Sequence, residues 1–331
     1  MNLHIASTRP ATDHEWDTMW VNCPYATYYH SREWAEIWQT YSNNNIRPKP
    51  ILIQFSDGKE ALLPFSQQNY YYGIIKRYSL TGPPAMALPY YGNWIADESL
   101  TGEHTKALSE YLIRNYRNFV WRLNPFDANS NMVFFSSKYV RRKHFVSYMI
   151  DLTRGEDYIF ANMKKSCRNQ IKQGMKNNLV VTEGTDIGHW KEYYAIYKNT
   201  IARWGRKTLY ILDWKFFEIL FTLPGENRRL WLTWYNNIPV AGCICLYSHH
   251  KILIWHSASL TKYLHLRPVN LARFQIISDG IAKKYRWLDF DTAGRNKGLE
   301  KFKKSFGPEE KMCDMIISWH PIIYNIKKYF Y

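Results

Sequence analysis

The chain has 331 residues, 46% of them apolar and 17% aromatic, and a formal net charge of +16. That length allows one large domain or two of ordinary size with a sizeable core, and the charge favours polyanionic partners such as tRNA, nucleotide-linked substrates or an anionic membrane surface. No run of 18 apolar residues and no run of five basic ones occurs, which argues against a membrane-spanning helix and a basic disordered tail.

The first predicted helix covers Arg32–Tyr41. Trp34, Ile37, Trp38 and Tyr41 fall at i, i+3, i+4 and i+7, and Ser31 stands where a cap is needed. Strands are predicted at Ile51–Phe55, Ala61–Phe65 and Tyr70–Ile75, with Thr81-Gly82-Pro83-Pro84 as a rigid turn. A helix over Thr101–Asn118 leads to a strand over Phe119–Leu123. The segments Ser130–Phe135 and Val140–Leu152 carry the chain toward the second half.

The second half repeats that order. Helices are predicted over Glu156–Asn177, Gly188–Ala202 and Asp213–Phe221, then strands at Arg229–Tyr235, Val240–Tyr247 and Ile252–Ser257. A helix over Pro268–Lys284, a strand over Arg286–Phe290 and a last helix over Pro321–Tyr331 complete the chain. The echo of order predicts two α/β (α+β) units, 1–150 and 151–319. No sustained heptad pattern announces a coiled-coil arm.

Several clusters bear on chemistry. In Glu156–Asn177, Ile159, Met163, Cys167, Ile171 and Met175 recur every four residues, with Lys164, Arg168, Lys172 and Lys176 one step later. That borders an apolar stripe with a cationic one, suited to phosphate and equally to a solvated face of snorkelling lysines. Arg203-Trp204-Gly205-Arg206 reads either as a phosphate clamp with an aromatic platform or as a helix end with its glycine cap. His256 lies mid-strand, is expected to face the same way as Ile254 and Ala258, and reads as a satisfied core histidine before it reads as a base. The cysteines, Cys23, Cys167, Cys243, Cys245 and Cys313, lack metal-ligand spacing and read as buried thiols of a reducing compartment.

The most informative run is Trp287–Gly307, WLDFDTAGRNKGLEKFKKSFG. It reads as a short strand with Asp289 and Asp291 on one face, a glycine-bounded loop and a helix carrying Phe302 and Phe306 around Lys303. An acid at a strand end can serve as a base or as a structural anchor of the loop. A lysine held among phenylalanines can stabilise an oxyanion. Lys301 and Lys304 read as solvent-facing.

This motif, with the helix opening Pro268, Val269, Asn270, Leu271, resembles the Fem-type peptidyltransferases and their BioF2-like acyltransferase relatives in the GNAT superfamily. KSCRNQIKQGMKNNLVV at Lys165–Val181 and YYHSREWAEIW at Tyr28–Trp38 are similar to the openings of that family's second and first domains. The resemblance implies twin GNAT-like domains, each a mixed, mostly antiparallel sheet flanked by helices, with residues 320–331 packing back on the first. It implies Lys303 and Asp289 as catalytic residues. Arg168, Lys164, Lys172, Arg203, Arg206, Asn270 and Phe302 are the expected substrate-binding residues.

The activity so implied is transfer of an aminoacyl group from aminoacyl-tRNA to an amine on a cell-wall precursor or peptide. It would proceed by direct attack, with no metal and no cofactor beyond the donor substrate. An N-acyltransferase using acyl-CoA or an acyl carrier protein in polysaccharide or lipid assembly is the alternative. The segment Thr261–Arg267, where CoA-dependent relatives carry a glycine loop, contains no glycine and disfavours CoA. A non-enzymatic protein binding RNA or an anionic membrane is the third reading. Expected partners are tRNA or an acyl carrier and an anionic, nucleotide- or lipid-linked amine. The N-terminus shows no apolar leader, so a cytoplasmic place, with peripheral contact at the inner membrane face, is expected.

Overall fold

The computed structural model describes residues 3–72, 75–82, 91–116, 118–129, 139–205, 211–294 and 296–318. The chain forms two compact units. One takes the chain up to Phe145 and again from Met312; the other is Val146–Lys311. The predicted segment Ser130–Phe135, the turn prolines Pro83 and Pro84, the helix Pro321–Tyr331 and Arg206 lie outside the described residues.

The first unit opens with β1 (Ile5–Pro10), α1 (Asp13–Asn22) and α2 (Arg32–Tyr41). Strands β2 (Ile46–Pro48), β3 (Ile51–Phe55), β4 (Glu60–Leu63), β5 (Ser66–Tyr72) and β6 (Ile75–Gly82) follow, then α3 (Gly102–Asn115), β7 (Phe119–Arg122) and β8 (Val140–Lys143). Its sheets run β1-β3-β4 and β2-β5-β6-β7-β16-β8, the second completed by β16 (Met315–Ser318) from the far end of the chain. The caps are those expected from short polar side chains. Ser31 accepts from the Trp34 amide, and Thr12 with Glu15 forms a capping box on α1. The predicted strand Tyr70–Ile75 holds the end of β5, at Tyr72, and the start of β6, at Ile75.

The second unit begins at β9 (Val146–Asp151), followed by α4 (Glu156–Asn162), α5 (Lys165–Lys176), β10 (Val180–Gly184), α6 (Ile187–Trp204) and α7 (Trp214–Thr222). Then come β11 (Arg228–Tyr235), β12 (Ile238–Ser248), β13 (Lys251–Ser259), α8 (Pro268–Ala282), β14 (Trp287–Thr292), α9 (Lys297–Lys304) and β15 (Glu309–Met312). They build one seven-stranded sheet, β10-β11-β12-β13-β14-β9-β15. The ladders joining β10 to β11, β11 to β12, β12 to β13 and β14 to β9 are antiparallel, and that of β13 with β14 is parallel. Parallel neighbours need a crossover, and α8 supplies it.

On one face Cys243, Cys245, Ile252 and Ile254 pack with Ile171 of α5 and Ala272, Ile276 and Ile277 of α8. On the other, Gly242 lies so close to α6 that a Cβ would stand 2.6 Å from the Tyr193 ring. Burying each such Leu, Ile or Phe is worth about 1.5–3 kcal/mol, so this two-sided core holds the central strands firmly.

Two expectations need correction. The segment Val140–Leu152 holds two strands that belong to different units. β8 joins β16 in the first unit's sheet and β9 joins β14 in the second unit's, so the units part at 145/146 and 311/312 rather than at 150/151 and 319/320. Hydrogen-bond partners, not position along the chain, decide this. The predicted helix Glu156–Asn177 is likewise two helices, broken where Met163 and Lys164 turn extended. Met163 is buried, the Lys164 amide donates to Ser305 O, and Arg168 Nη1 donates to Ala161 O and Met163 O, so tertiary contacts outweigh the helical period. Met175, expected on the buried stripe, is 50% exposed.

Candidate active site at a split in the second sheet

The parallel ladder of β13 and β14 is short: Lys251, Ile252 and Leu253 pair with Trp287, Leu288 and Asp289. Beyond that point β13 runs on to Ser259 and β14 to Thr292 with no further pairing between them. The strands therefore part in the middle of the sheet. Trp255, His256 and Ser257, mid-strand in a central strand, are partly exposed, as are Asp291 and Thr292 opposite. Such exposure in the heart of a sheet marks a cleft lined by backbone and side chains together.

Both strands are bent at the split. The register of β13 with β12 slips between Ile244↔His256 and Cys245↔Ile254, leaving Trp255 as a bulge. His256 is thereby turned from the Ile254 face to the opposite one, against Tyr193, Tyr197 and Phe217. The expected common direction of Ile254 and His256 is thus corrected, because one inserted residue reverses the period of two. On β14, Asp291 adopts a left-handed φ of 58° and the register with β9 is interrupted between Asp289 and Thr292. Asp289 and Asp291 therefore do not share a face in the simple way the alternation predicts.

Asp289 is 2% exposed, and its Oδ1 accepts from Ser147 Oγ at 2.7 Å and from the Asp291 amide at 2.7 Å. That is the geometry of an anchor that holds the bent end of β14. Lys303, 5% exposed, donates from Nζ to Asp291 O at 3.1 Å and Thr292 O at 2.6 Å. Helix α9 places it there because Asn296 caps the helix onto the Leu299 amide and Phe306 is buried beneath. The lysine charge thus stands in the wall of the split, tied to the backbone of the strand end. Gly307 closes the motif with φ 71°, and a Cβ there would come 2.6 Å from Asn162 O, so only glycine fits. Lys304 is engaged by Glu300 and Glu310, 3.0 Å each, and Lys301 is exposed.

The other expected binding residues are more dispersed. Arg203 Nη1 donates to Ser259 O at 3.0 Å and Thr261 Oγ1 at 3.1 Å, tying α6 to the end of β13. Asn270 is buried and donates to Gln170 Oε1 at 3.0 Å, joining α8 to α5. Arg168 spends Nη1 on carbonyls at the end of α4, Lys164 stands exposed at the N-cap of α5, and Lys172 lies 5.9 Å over the Phe160 ring. Lys164 and Lys172 are thus exposed, whereas Arg168 and Arg203 also serve the scaffold. The five cysteines are buried and unbridged by disulfides, as the sequence suggested, and burial raises the Cys243 and Cys245 thiols. Among the described residues no cluster of His, Cys, Asp and Glu could hold a metal, and no helix is long and apolar enough to cross a membrane.

One residue escaped sequence reasoning entirely. Arg273 of α8 is 4% exposed, with its guanidinium carbon 4.6 Å from the Phe302 ring centre and 5.0 Å from that of Phe290. Its Nε and Nη1 have no hydrogen-bond partner among the described residues, and burial lowers its pKa. Phe302 thus serves as one wall of a cage around a buried cation. The available signal was a lone arginine inside the apolar run PVNLARFQII.

The segment after β13 is equally specific. Thr261–Leu266 is a 3-10 helix and Arg267, the N-cap of α8, is left-handed with φ 63°. The Thr261 amide donates to Asn199 Oδ1, and those of Tyr263, Arg267 and Asn270 donate to backbone carbonyls. These amides are already committed within the protein and do not form a free cradle for pyrophosphate.

Residues 161–304, which span the split, match the family model described as Acetyltransferase (GNAT) domain. No curated protein sequence matches the chain. Among solved structures, FemX is similar over 97% of this chain and 99% of its own, at 11% identity and a TM-score of 0.69. The C-terminal domain of a putative lysylphosphatidylglycerol synthetase from Agrobacterium fabrum is similar over 84% of this chain and 86% of its own, at 10% identity and a TM-score of 0.54. L-PGS from Bacillus licheniformis covers 91% of this chain and 96% of its own, at 11% identity and a TM-score of 0.50. At such identities these structures speak for the fold, and the family model speaks for the domain that carries the split. Over residues 161–304 the chain carries a GNAT acyltransferase domain, and as a whole it has the fold of FemX.

Proposed function

We propose that the protein transfers an aminoacyl group from aminoacyl-tRNA to a primary amine on a cell-wall precursor or peptide. The observation that carries this reading is the segment after β13: a 3-10 helix without glycine, its Thr261 and Tyr263 amides bonded within the protein, stands where a CoA-dependent enzyme carries a glycine loop with free ones. The likeness to FemX over nearly the whole of both chains supports the same branch. The donor ester is already activated, so positioning and charge at the split suffice for direct attack by the amine. Lys303 steadies the strand end and supplies positive charge beside the reacting carbonyl, while Asp289 sets the loop that presents it. The basic surface, with Lys164 and Lys172 exposed on one helix, draws in the tRNA phosphates and an anionic acceptor. The work is done in the cytoplasm, with peripheral contact at the membrane when the acceptor is lipid-linked.

A second reading, acyl transfer from a thioester on CoA or a carrier protein, is favoured by the description of the matching domain as an acetyltransferase. Binding of charged and uncharged tRNA at near-physiological salt, beside acetyl-CoA, separates the two. Low salt is unsuitable, because this basic surface will hold any RNA there. A preference for charged over uncharged tRNA is expected. Equal binding of both, together with saturable binding of acetyl-CoA, overturns the tRNA reading in favour of the thioester. In either case Lys303→Ala should abolish transfer while Lys304→Ala should not. Equal, mild losses at both positions would remove Lys303 from the mechanism.

A further inference from the structure

His256 stands where β13 leaves β14, and its surroundings fix the state of its imidazole. Tyr193 OH lies 2.5 Å from His256 Nδ1, and Nδ1 is the only hydrogen-bond partner of that hydroxyl among the described residues. Burial raises the Tyr193 phenol well above its ordinary range, so the phenol keeps its proton and donates it. Nδ1 therefore accepts, and the hydrogen-bond network assigns the ring proton to Nε2.

Rings pack on the imidazole from every side described: Tyr193 and Tyr197 from α6, Phe217 from α7 and Trp255 from its own strand. None of these carries a charge at neutral pH, and burial alone lowers the imidazole to about 4. The ring is thus neutral across the physiological range. Nε2 has no hydrogen-bond partner among the described residues, and the largely buried residue keeps part of its surface open to the cleft. A neutral imidazole with one nitrogen locked and the other turned to a cleft is a poor base. It is a well-prepared N–H donor, a role that neutral histidine fills in other enzymes.

We propose that His256 is a catalytic hydrogen-bond donor whose Nε2–H receives the carbonyl oxygen of the acyl donor, with Tyr193 as the positioning residue that sets the tautomer. The inference rests on the acyl-transfer reading and applies to an ester or a thioester donor, since both present the same carbonyl. The amine nitrogen adds to the carbonyl carbon, a C–N bond forms, and the carbonyl pair moves onto the oxygen held by Nε2–H. The pair then returns, the C–O or C–S bond breaks, and its electrons leave with the ribose oxygen or the thiol sulfur. The proton released by the amine ends on that leaving group. His256 neither gains nor loses a proton.

The test uses the full chain with 15N-labelled histidine rings, the His256 signals being those missing in His256→Gln. An Nε2–H tautomer that persists from pH 8 to pH 5 is expected, and Tyr193→Phe should let both tautomers appear. Acetyl-CoA and a tRNA carrying an amide-linked amino acid are then titrated in, and the donor that binds should move the Nε2 signal. In transfer assays His256→Ala should lose about 10²–10³-fold in turnover, the usual effect of removing one oxyanion donor. His256→Gln, whose amide keeps an N–H, should recover a large part of it. Titration near pH 6.5, an Nδ1–H tautomer, or an Nε2 signal unmoved by a bound donor overturns the proposal and leaves acyl transfer standing. If neither donor binds, acyl transfer itself fails and this role fails with it.

Discussion

Substitution of Asp289 separates an anchor from a base. The carboxylate is buried and takes two hydrogen bonds on one oxygen, from Ser147 Oγ and the Asp291 amide, both at 2.7 Å. Hydrogen bonds to a charged group contribute about 1.5–3 kcal/mol each, so Asp289→Ala, which removes both, should cost about 3–6 kcal/mol. Asp289→Asn keeps an oxygen in place and forfeits only the charge assistance, so its cost should be about 1–3 kcal/mol. Urea unfolding followed by tryptophan emission gives the stabilities, and hydrogen exchange over residues 287–294 reports the loop. Turnover is then measured at a temperature where all three proteins are folded. If Asp289 is an anchor, the Asn variant keeps most of its turnover and the Ala variant loses it together with loop protection. A normally folded Asn variant with turnover down about 10²–10⁴-fold, the usual effect of losing a general base, would refute this reasoning.

Three further outcomes follow from single residues. Gly307→Ala should destabilise by about 2–5 kcal/mol, from left-handed strain and the clash with Asn162 O, whereas Gly294→Ala meets open space at φ 55° and should cost only about 1–2 kcal/mol; paired urea midpoints check it. Arg273→Met removes a buried cation without a carboxylate while keeping contact with Phe290 and Phe302. Thermal unfolding should move upward, by about 1–3 kcal/mol, and a fall would mean that the ring contacts outweigh desolvation. The His256 imidazole, ordinarily near 6.5, is lowered to about 4, so below pH 6.5 the unfolded chain binds a proton that the folded one refuses. Its share of stability is whole above pH 6.5 and falls by as much as about 3 kcal/mol towards pH 4. His256→Gln should flatten that slope in a melting series across the window.

Much of the architecture was legible because it is local. The helix Arg32–Tyr41 and its Ser31 cap follow from apolar spacing and one hydroxyl, as does the helix opening at Pro268. Errors arose where distant partners decide. Val140–Leu152 has strand character throughout, but no periodicity announces that β8 and β9 serve different sheets. The break at Met163–Lys164 was hidden because the four-residue period continues across it, and only Arg168 turning back on Ala161 O reveals the end of α4. Strand β1 is an exposed edge with one inward residue in six, and so carries almost no alternation in its sequence.

The site divides in the same way. The motif Trp287–Gly307 was readable because its main parts are local: a strand, a cap at Asn296, phenylalanines one turn apart and a glycine forced left-handed. By itself the sequence determined the residue chemistry: a basic, aromatic-rich two-unit α/β chain with a lysine set among phenylalanines. Only the tertiary structure decided where that chemistry meets. A ladder three residues long, a bulge at Trp255 and a phenol on α6 open the cleft, turn His256 through the sheet and assign its proton. Each is an interaction between residues many positions apart, and spacing along one strand cannot encode which neighbour it will lose.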